Sequence, residues 1–247
     1  MAIDWLTARP VAHRGLHGNG TGHIENSLGA AKAAIAANYA IEVDLQLSKD
    51  GEAVVFHDEQ LDRLTNESGP VSERNASELS KITLKGSGET IPLLSDLLRT
   101  TAGQTPLVLE LKSLWDGDTR LAKVVADMLA GYGGPVAAMS FDPDMVSALR
   151  KHAPGLPRGI VAERWYGYKD WDFLPRGRKH YLGLLLHVLR TKPHFVAYAS
   201  FDLPATAPLI ARYILGMPLL TWTIRTEKDR ARVAKWVDQI IFEHIRP

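Results

Sequence analysis

Between Ile41 and Asp58 the chain reads IEVDLQLSKDGEAVVFHD, and the chemistry it offers gathers here. On a strand, residues two apart share a face, so Glu42 and Asp44 converge while Val43 turns away. Lys49-Asp50-Gly51 supplies a turn, AVVF resumes a short apolar strand, and His57-Asp58 closes it. His13-Arg14 ends another apolar run, and Glu110 and Lys112 repeat the two-apart spacing in LVLELK. Carboxylates on rigid elements suit an oxygen-ligated divalent cation with a proton carrier beside it. Charges inside apolar strands are costly without partners or a metal, and the other way to satisfy them is inward ion pairs from Glu42 or Glu110 to Lys112 and Arg14. His13 and His57 together make an acid–base pair, since one neutral and one protonated imidazole can exchange protons near neutral pH. His17 and His23 are expected at the surface or rim. The glycines at 18, 20 and 22 do not make a dinucleotide fingerprint, which needs a further glycine where His23 stands.

The elements that must hold these groups follow from composition and pattern. The chain has 247 residues, 45% hydrophobic and 23% charged, which allows one large core. Its net charge of +1 excludes a general nucleic-acid-gathering field. Without cysteine there is no disulfide framework, thiolate zinc site or cysteine nucleophile, and a cytoplasmic location is expected. The N-terminus carries Asp4 and Arg9 and no apolar stretch of signal-peptide length. The most apolar run, Tyr181 to Leu189, is too short for a transmembrane segment and is expected to be a helix packed on the fold.

Short apolar runs alternate with helix-like segments. Strands are expected at 10–13, 40–45, 107–112, 136–139, 159–162, 195–198, 219–223 and 239–242. Helices are expected at 27–38, 93–100, 119–130, 143–152, 178–190, 205–215 and 227–236. About eight strand–helix units predict an α/β fold, a TIM (β/α)8 barrel, as one domain over residues 1–247. After the last strand no residues are left for a final helix, a gap that Trp5 and Leu6 are expected to cover in part. Ser140-Phe141-Asp142 and Ser200-Phe201-Asp202 each follow a strand and are expected to cap the next helix. In such a barrel the active site lies at the C-terminal strand ends, where the polar residues gather.

The sequence resembles the glycerophosphodiester phosphodiesterase family. The matching stretches are His13-Arg14-Gly15, Glu25-Asn26-Ser27, Glu42-Val43-Asp44, Ser48-Lys49-Asp50-Gly51, and Val54 to Asp58. Leu61-Asp62-Arg63-Leu64-Thr65, Ile91-Pro92-Leu93-Leu94, Glu110-Leu111-Lys112, Ser140-Phe141 and Trp222-Thr223 continue it in order. The resemblance implies a phosphoric diester hydrolase that releases glycerol 3-phosphate and an alcohol from a small glycerophosphodiester. It implies one divalent cation, Mg²⁺ or Ca²⁺, on Glu42, Asp44 and Glu110. Arg14 and Lys112 would neutralise the phosphodiester oxygens, Trp222 would wall the glycerol side, and His13 and His57 would be general base and general acid. Glu25 and Asn26 would position the first loop, and residues from about 59 to 89 would form the family's small insertion.

The chain departs from the family before the second strand, at Tyr39-Ala40, and after the last, at Ile241 to Pro247, where an aspartate usually stands near a closing proline. These departures are expected to touch neither the metal set nor the acid–base pair. The loop 163–173, ERWYGYKDWDF, is expected either to wall a substrate tail, stacking on a choline-like head, or to pack over the rim. Two alternative functions are phospholipase D-type hydrolysis of a lysophospholipid and a non-catalytic phosphodiester-binding barrel.

Overall fold

The computed structural model describes residues 3–18 and 20–247; Met1, Ala2 and Asn19, within the expected domain and first loop, lie outside the described residues. The strands are β1 (Val11–Ala12), β2 (Ala40–Leu47), β3 (Ala53–Val55), β4 (Leu107–Leu111), β5 (Val136–Ser140), β6 (Arg158–Ala162), β7 (Phe195–Ala199), β8 (Leu219–Ile224) and β9 (Gln239–Phe242). They follow in the order β1-β9-β8-β7-β6-β5-β4-β2-β3, and β1 also pairs with β2, so the parallel strands close into the expected (β/α)8 barrel. β3 is antiparallel and pairs Val55 with Leu45, Val54 with Gln46 and Ala53 with Leu47. That pairing carries β2 two residues beyond its expected end.

Strand alternation sorts the side chains into two layers. Ile41, Val43, Leu107, Leu109 and Ala138 face outward into the core shared with the helices. Ala40, Val108, Ala137, Val161, Ala197, Leu220 and Ile241 face inward, joined by Ile3 and Leu6 from the N-terminal turn. Gln239 ties that turn to the barrel by donating from Nε2 to the Thr7 carbonyl at 2.8 Å.

The helices are α1 (Leu28–Ala36), α2 (Ala76–Leu79), α3 (Leu94–Thr101), α4 (Arg120–Leu129), α5 (Pro143–His152), α6 (Arg176–Gly183), α7 (Val188–Thr191), α8 (Thr206–Tyr213) and α9 (Glu227–Val233). Ser27 caps α1 by accepting from the Ala30 N–H, and Asp142 caps α5 by accepting from the Asp144 N–H. Asp202 does not cap α8; it accepts instead from the Arg164 N–H at 2.6 Å. The expected helix over 178–190 is broken into α6 and α7. Gly183 packs so closely on the loop before it that a Cβ would stand 2.3 Å from the Arg164 carbonyl oxygen. Leu185 takes a left-handed φ of 56°. The run from Tyr181 to Leu189 is therefore not a packed helix: Leu184, Leu186 and Leu189 are 55%, 59% and 85% exposed, and Leu182, Leu185 and His187 are turned in. No described helix is long and apolar enough to cross a membrane.

Between β3 and α3 the chain makes an excursion with its own apolar cluster, Val54, Phe56, Leu61, Val71, Leu79, Leu84 and Ile91. Its backbone is held by short antiparallel bridges, Gln60 with Pro70, Thr65 with Leu84 and Thr83 with Thr90.

Candidate active site

Register and alternation place the polar residues before any side-chain contact is considered. In the β2–β4 pair Glu42 lies opposite Val108 and Asp44 opposite Glu110. Val108 is an inward residue, so Glu42, Asp44 and Glu110 all point into the barrel mouth. Ligand oxygens of these three buried carboxylates lie within 4.8 Å of one another. Glu42 Oε1 is buried with no hydrogen-bond partner. An orphaned carboxylate oxygen beside two further carboxylates is a donor set that a hard divalent cation fits.

Each acid is held differently. Glu42 Oε2 accepts from the Arg14 N–H at 3.0 Å. Asp44 and Asn26 bond reciprocally: Asn26 Nδ2 donates to Asp44 Oδ2 at 2.9 Å, and the Asp44 N–H donates to Asn26 Oδ1 at 3.2 Å. Lys112 Nζ lies 2.8 Å from Asp44 Oδ1 and 2.5 Å from Glu110 Oε1. Burial, with Asp44 and Glu110 close by, pushes the Glu42 carboxyl well above its ordinary value. Burial would raise Asp44 as well, but Lys112, His57 and Arg14 outweigh it and hold Asp44 well below the usual carboxylate range. Burial would lower the Lys112 ammonium, and Asp44 and Glu110 reverse that.

The loop after β1 brings His13 and Arg14 over these acids. Gly15 permits it: its φ is 77°, and an added Cβ would stand 2.8 Å from Ala30 Cβ and 2.9 Å from the Ala30 carbonyl carbon. Arg14 Nε lies 3.2 Å from Asp44 Oδ2, and its Nη1 donates to Glu25 Oε1 at 2.8 Å. His13 Nε2 faces Glu42 Oε2 at 3.9 Å, and His13 Nδ1, buried without a hydrogen-bond partner, faces the Glu243 Oε2 carboxylate oxygen at an ion-pair distance of 3.5 Å. Burial lowers the His13 imidazole to about 4 despite Glu243. Glu243 follows β9 on the same face as Ile241, and Arg225 Nη2 holds its Oε2 at 2.9 Å. The C-terminal departure from the family pattern therefore does reach His13, one of the two histidines expected to form the acid–base pair. His17 is not a rim residue either: it is buried, with Nε2 3.6 Å from Glu243 Oε1.

His57 is held more closely, by a hydrogen bond. Its Nδ1 lies 2.7 Å from Asp58 Oδ1. Arg63 bridges outward from there, with Nε 2.5 Å from Asp58 Oδ2 and Nη2 and Nη1 donating to Glu25 Oε1 and Oε2 at 2.7 and 2.9 Å. An unbroken chain of polar contacts thus runs Arg14, Glu25, Arg63, Asp58, His57. Burial would raise the Asp58 carboxyl, but His57 and Arg63 hold it well below its ordinary range.

Sequence reasoning brought together His13, Arg14, Glu42, Asp44, His57, Glu110, Lys112 and Trp222, and all eight line one cavity of about 270 Å³. It missed Glu243, Asp58 and Arg63. The first shares the inward parity of Ile241, the second adjoins His57, and the third sits in the stretch Leu61 to Thr65.

The loop 163–173 packs in part over the rim, as one of its two expected roles requires. Tyr166 is fully buried and packs with Leu174 and Leu182. Tyr168, Trp171 and Phe173 line an open groove beside the cavity.

Comparison with known proteins places this geometry. The family model described as "Glycerophosphoryl diester phosphodiesterase family" matches residues 13–246. The Bacillus subtilis (strain 168) protein YhdW is 25% identical over 244 residues, covering 95% of this chain and 93% of that protein. A glycerophosphodiester phosphodiesterase of Caldanaerobacter subterraneus is 33% identical over 163 residues, 61% of this chain and 65% of the relative. Among solved structures, an Oleispira antarctica phosphodiesterase in complex with the product sn-glycerol-3-phosphate superposes with a TM-score of 0.79 at 20% identity. The match covers 96% of this chain and 93% of that one.

Proposed function

The chain belongs to the glycerophosphoryl diester phosphodiesterase family and is a phosphoric diester hydrolase, and from that premise we propose that it cleaves glycerophosphodiesters to glycerol 3-phosphate and an alcohol with one divalent cation and two histidines. The observation that carries the reading is the convergence, in one cavity, of three buried carboxylates with the imidazoles of His13 and His57 and the cations of Arg14, Lys112 and Arg225. Residues 1–247 are taken to act as one catalytic domain. The Oleispira enzyme's product is the glycerol 3-phosphate that this reaction would release.

Glu42, Asp44 and Glu110 would hold the cation, Mg²⁺ or Ca²⁺, which when bound supplies Lewis-acid polarisation of a phosphoryl oxygen. Arg14 and Lys112 would neutralise the non-bridging phosphodiester oxygens. Trp222, on the cavity wall, would receive the apolar face of the glycerol carbons. His13, kept neutral by burial, accepts the proton of the attacking glycerol hydroxyl at Nε2, with the Glu243 carboxylate beside Nδ1 to stabilise the imidazolium that forms. The hydroxyl oxygen bonds to phosphorus and the bond from phosphorus to the departing alcohol breaks. His57, fixed through Nδ1 by Asp58, delivers a proton from Nε2 to the leaving oxygen. Water then opens the resulting cyclic phosphate with the two roles exchanged.

The test is release of glycerol 3-phosphate from glycerophosphocholine and glycerophosphoethanolamine with Mg²⁺, with Ca²⁺ and with a chelator. Cation-dependent release is expected. Equal release in the presence of excess chelator would overturn the cation, and no release under any condition would overturn the reaction.

A further inference from the structure

The cavity does not end at the phosphodiester site. Past His57, Lys112 and Trp222 it continues into a groove of about 630 Å³ that shares those three residues, with Glu110, Phe141 and Tyr168, as its inner edge. A diester seated with its phosphate at Arg14 and Lys112 and its glycerol against one side must project its other substituent somewhere. This groove is contiguous with the site and large enough to take it.

Its wall is an unbroken aromatic series. Trp222 meets Phe141 at a centroid distance of 5.4 Å, Phe141 meets Trp171 at 5.0 Å, and Trp171 meets Trp115 at 6.0 Å. Phe173 closes the outer end, 6.0 Å from Trp115 and 6.3 Å from Trp171. Facing these rings are the carboxylates of Glu59, Asp142, Glu163 and Asp170, none of which has an ion-pair partner among the described residues. Asp142 and Glu163 are only 2% and 3% exposed. Their hydrogen bonds come from neutral donors, the Ser113 hydroxyl and Asp144 N–H for Asp142 and the Gly167 N–H for Glu163. Besides His57, the one basic side chain on the described lining is Lys112, already engaged by Asp44 and Glu110.

Buried carboxylates without a counter-ion are costly, and exposed aromatic faces beside them attract cations. We propose that this groove binds the departing alcohol and selects alcohols that carry an alkylammonium group. The inference rests on the phosphodiesterase reading and names its substrate class. A quaternary ammonium has no N–H to donate, so the ring faces hold it while the carboxylates supply the field. A neutral polyol gains neither contact, an anionic head group is repelled, and an acyl chain would strip water from the exposed carboxylates of Glu59 and Asp170.

The experiment compares kcat/KM on glycerophosphocholine and glycerophosphoglycerol, which share phosphate and glycerol and differ in the charge of the departing alcohol. Wild-type enzyme is expected to favour the choline ester by on the order of ten-fold or more. Trp171→Leu and Glu163→Gln should each bring that ratio down towards one. Asp170→Asn, at an exposed position that leaves the fold alone, should lower it part of the way. Choline chloride, titrated against sodium chloride at equal ionic strength, should change the tryptophan fluorescence of the wild type and not of Trp171→Leu. Equal kcat/KM on the two diesters would overturn the inference and leave the phosphodiesterase reading standing. Choline binding that is lost in Trp171→Leu, with neither diester cleaved, would support the groove and overturn the reaction.

Discussion

His13 and Glu243, separated by almost the whole sequence, face each other across the β1–β9 seam with Nδ1 and Oε2 3.5 Å apart. Hydrogen bonding across that seam, from the His13 N–H to the Phe242 carbonyl at 2.9 Å, fixes the backbone from which both side chains project. The seam thus sets a carboxylate beside Nδ1 and leaves Nε2 towards the acids of β2.

Glu243→Gln keeps the shape and removes the charge. It is expected to lower kcat by roughly 10- to 100-fold, the usual cost of losing an outer partner of a functional histidine. KM and the melting temperature should change little. A comparable loss in Tm would mean that Glu243 serves the seam rather than the histidine.

Arg63→Lys should cut the chain of contacts between Glu25 and Asp58, because an ammonium cannot reproduce the fork that meets both carboxylates. Side-chain exposure of 47% makes a small stability effect the expected one. Activity should fall with His57 less well fixed. Full activity in the lysine variant would show that Asp58 holds the imidazole unaided.

The raised Glu42 carboxyl has a definite sign. Its folded value lies above the ordinary 4.5, so the folded state without a cation binds more protons, and stability falls as pH rises from 4.5 through the folded value. A bound cation removes the like-charge penalty. Thermal melts should show Mg²⁺ or Ca²⁺ stabilising more at higher pH, and calorimetry in two buffers should detect proton release on binding. Glu110→Gln should weaken that binding while the barrel stays folded.

His187 is buried with neither ring nitrogen bonded, and burial lowers it from 6.5 to about 4. The unfolded chain therefore takes up the extra proton between those values, so stability is complete above 6.5 and is lost as pH falls to about 4, by roughly 3 kcal/mol. His187→Leu should remove that part of the slope, measured as the difference in Tm between wild type and variant across the window. Parallel Tm curves for the two proteins would refute it.

The barrel was legible because alternation and length mark its strands without tertiary information, and the inward acids were legible because two-apart spacing on a strand fixes a shared face. What stayed hidden was non-local. Glu243 becomes a partner of His13 only when β9 closes on β1, and nothing within its own stretch marks that neighbour. The helix expected over 178–190 failed for the same kind of reason. Its hydrophobicity called for packing, but the close approach of Gly183 to Arg164 and the Tyr198 hydroxyl donating to the Gly183 carbonyl at 3.0 Å end α6 and leave Leu184, Leu186 and Leu189 outward. His17 looked like a loop residue because loops are usually exposed, yet this loop folds back over β9 and buries it.

The contact of Gly15 with Ala30 ties evolution at one position to the other. Neither residue touches substrate in the proposed reaction, yet the room for Arg14 over Glu42 depends on both staying small. A saturation scan selecting for hydrolysis should therefore find a constrained site on the hidden face of α1, outside the cavity lining. Larger residues at 30 would survive there only with a compensating shift of the whole first loop.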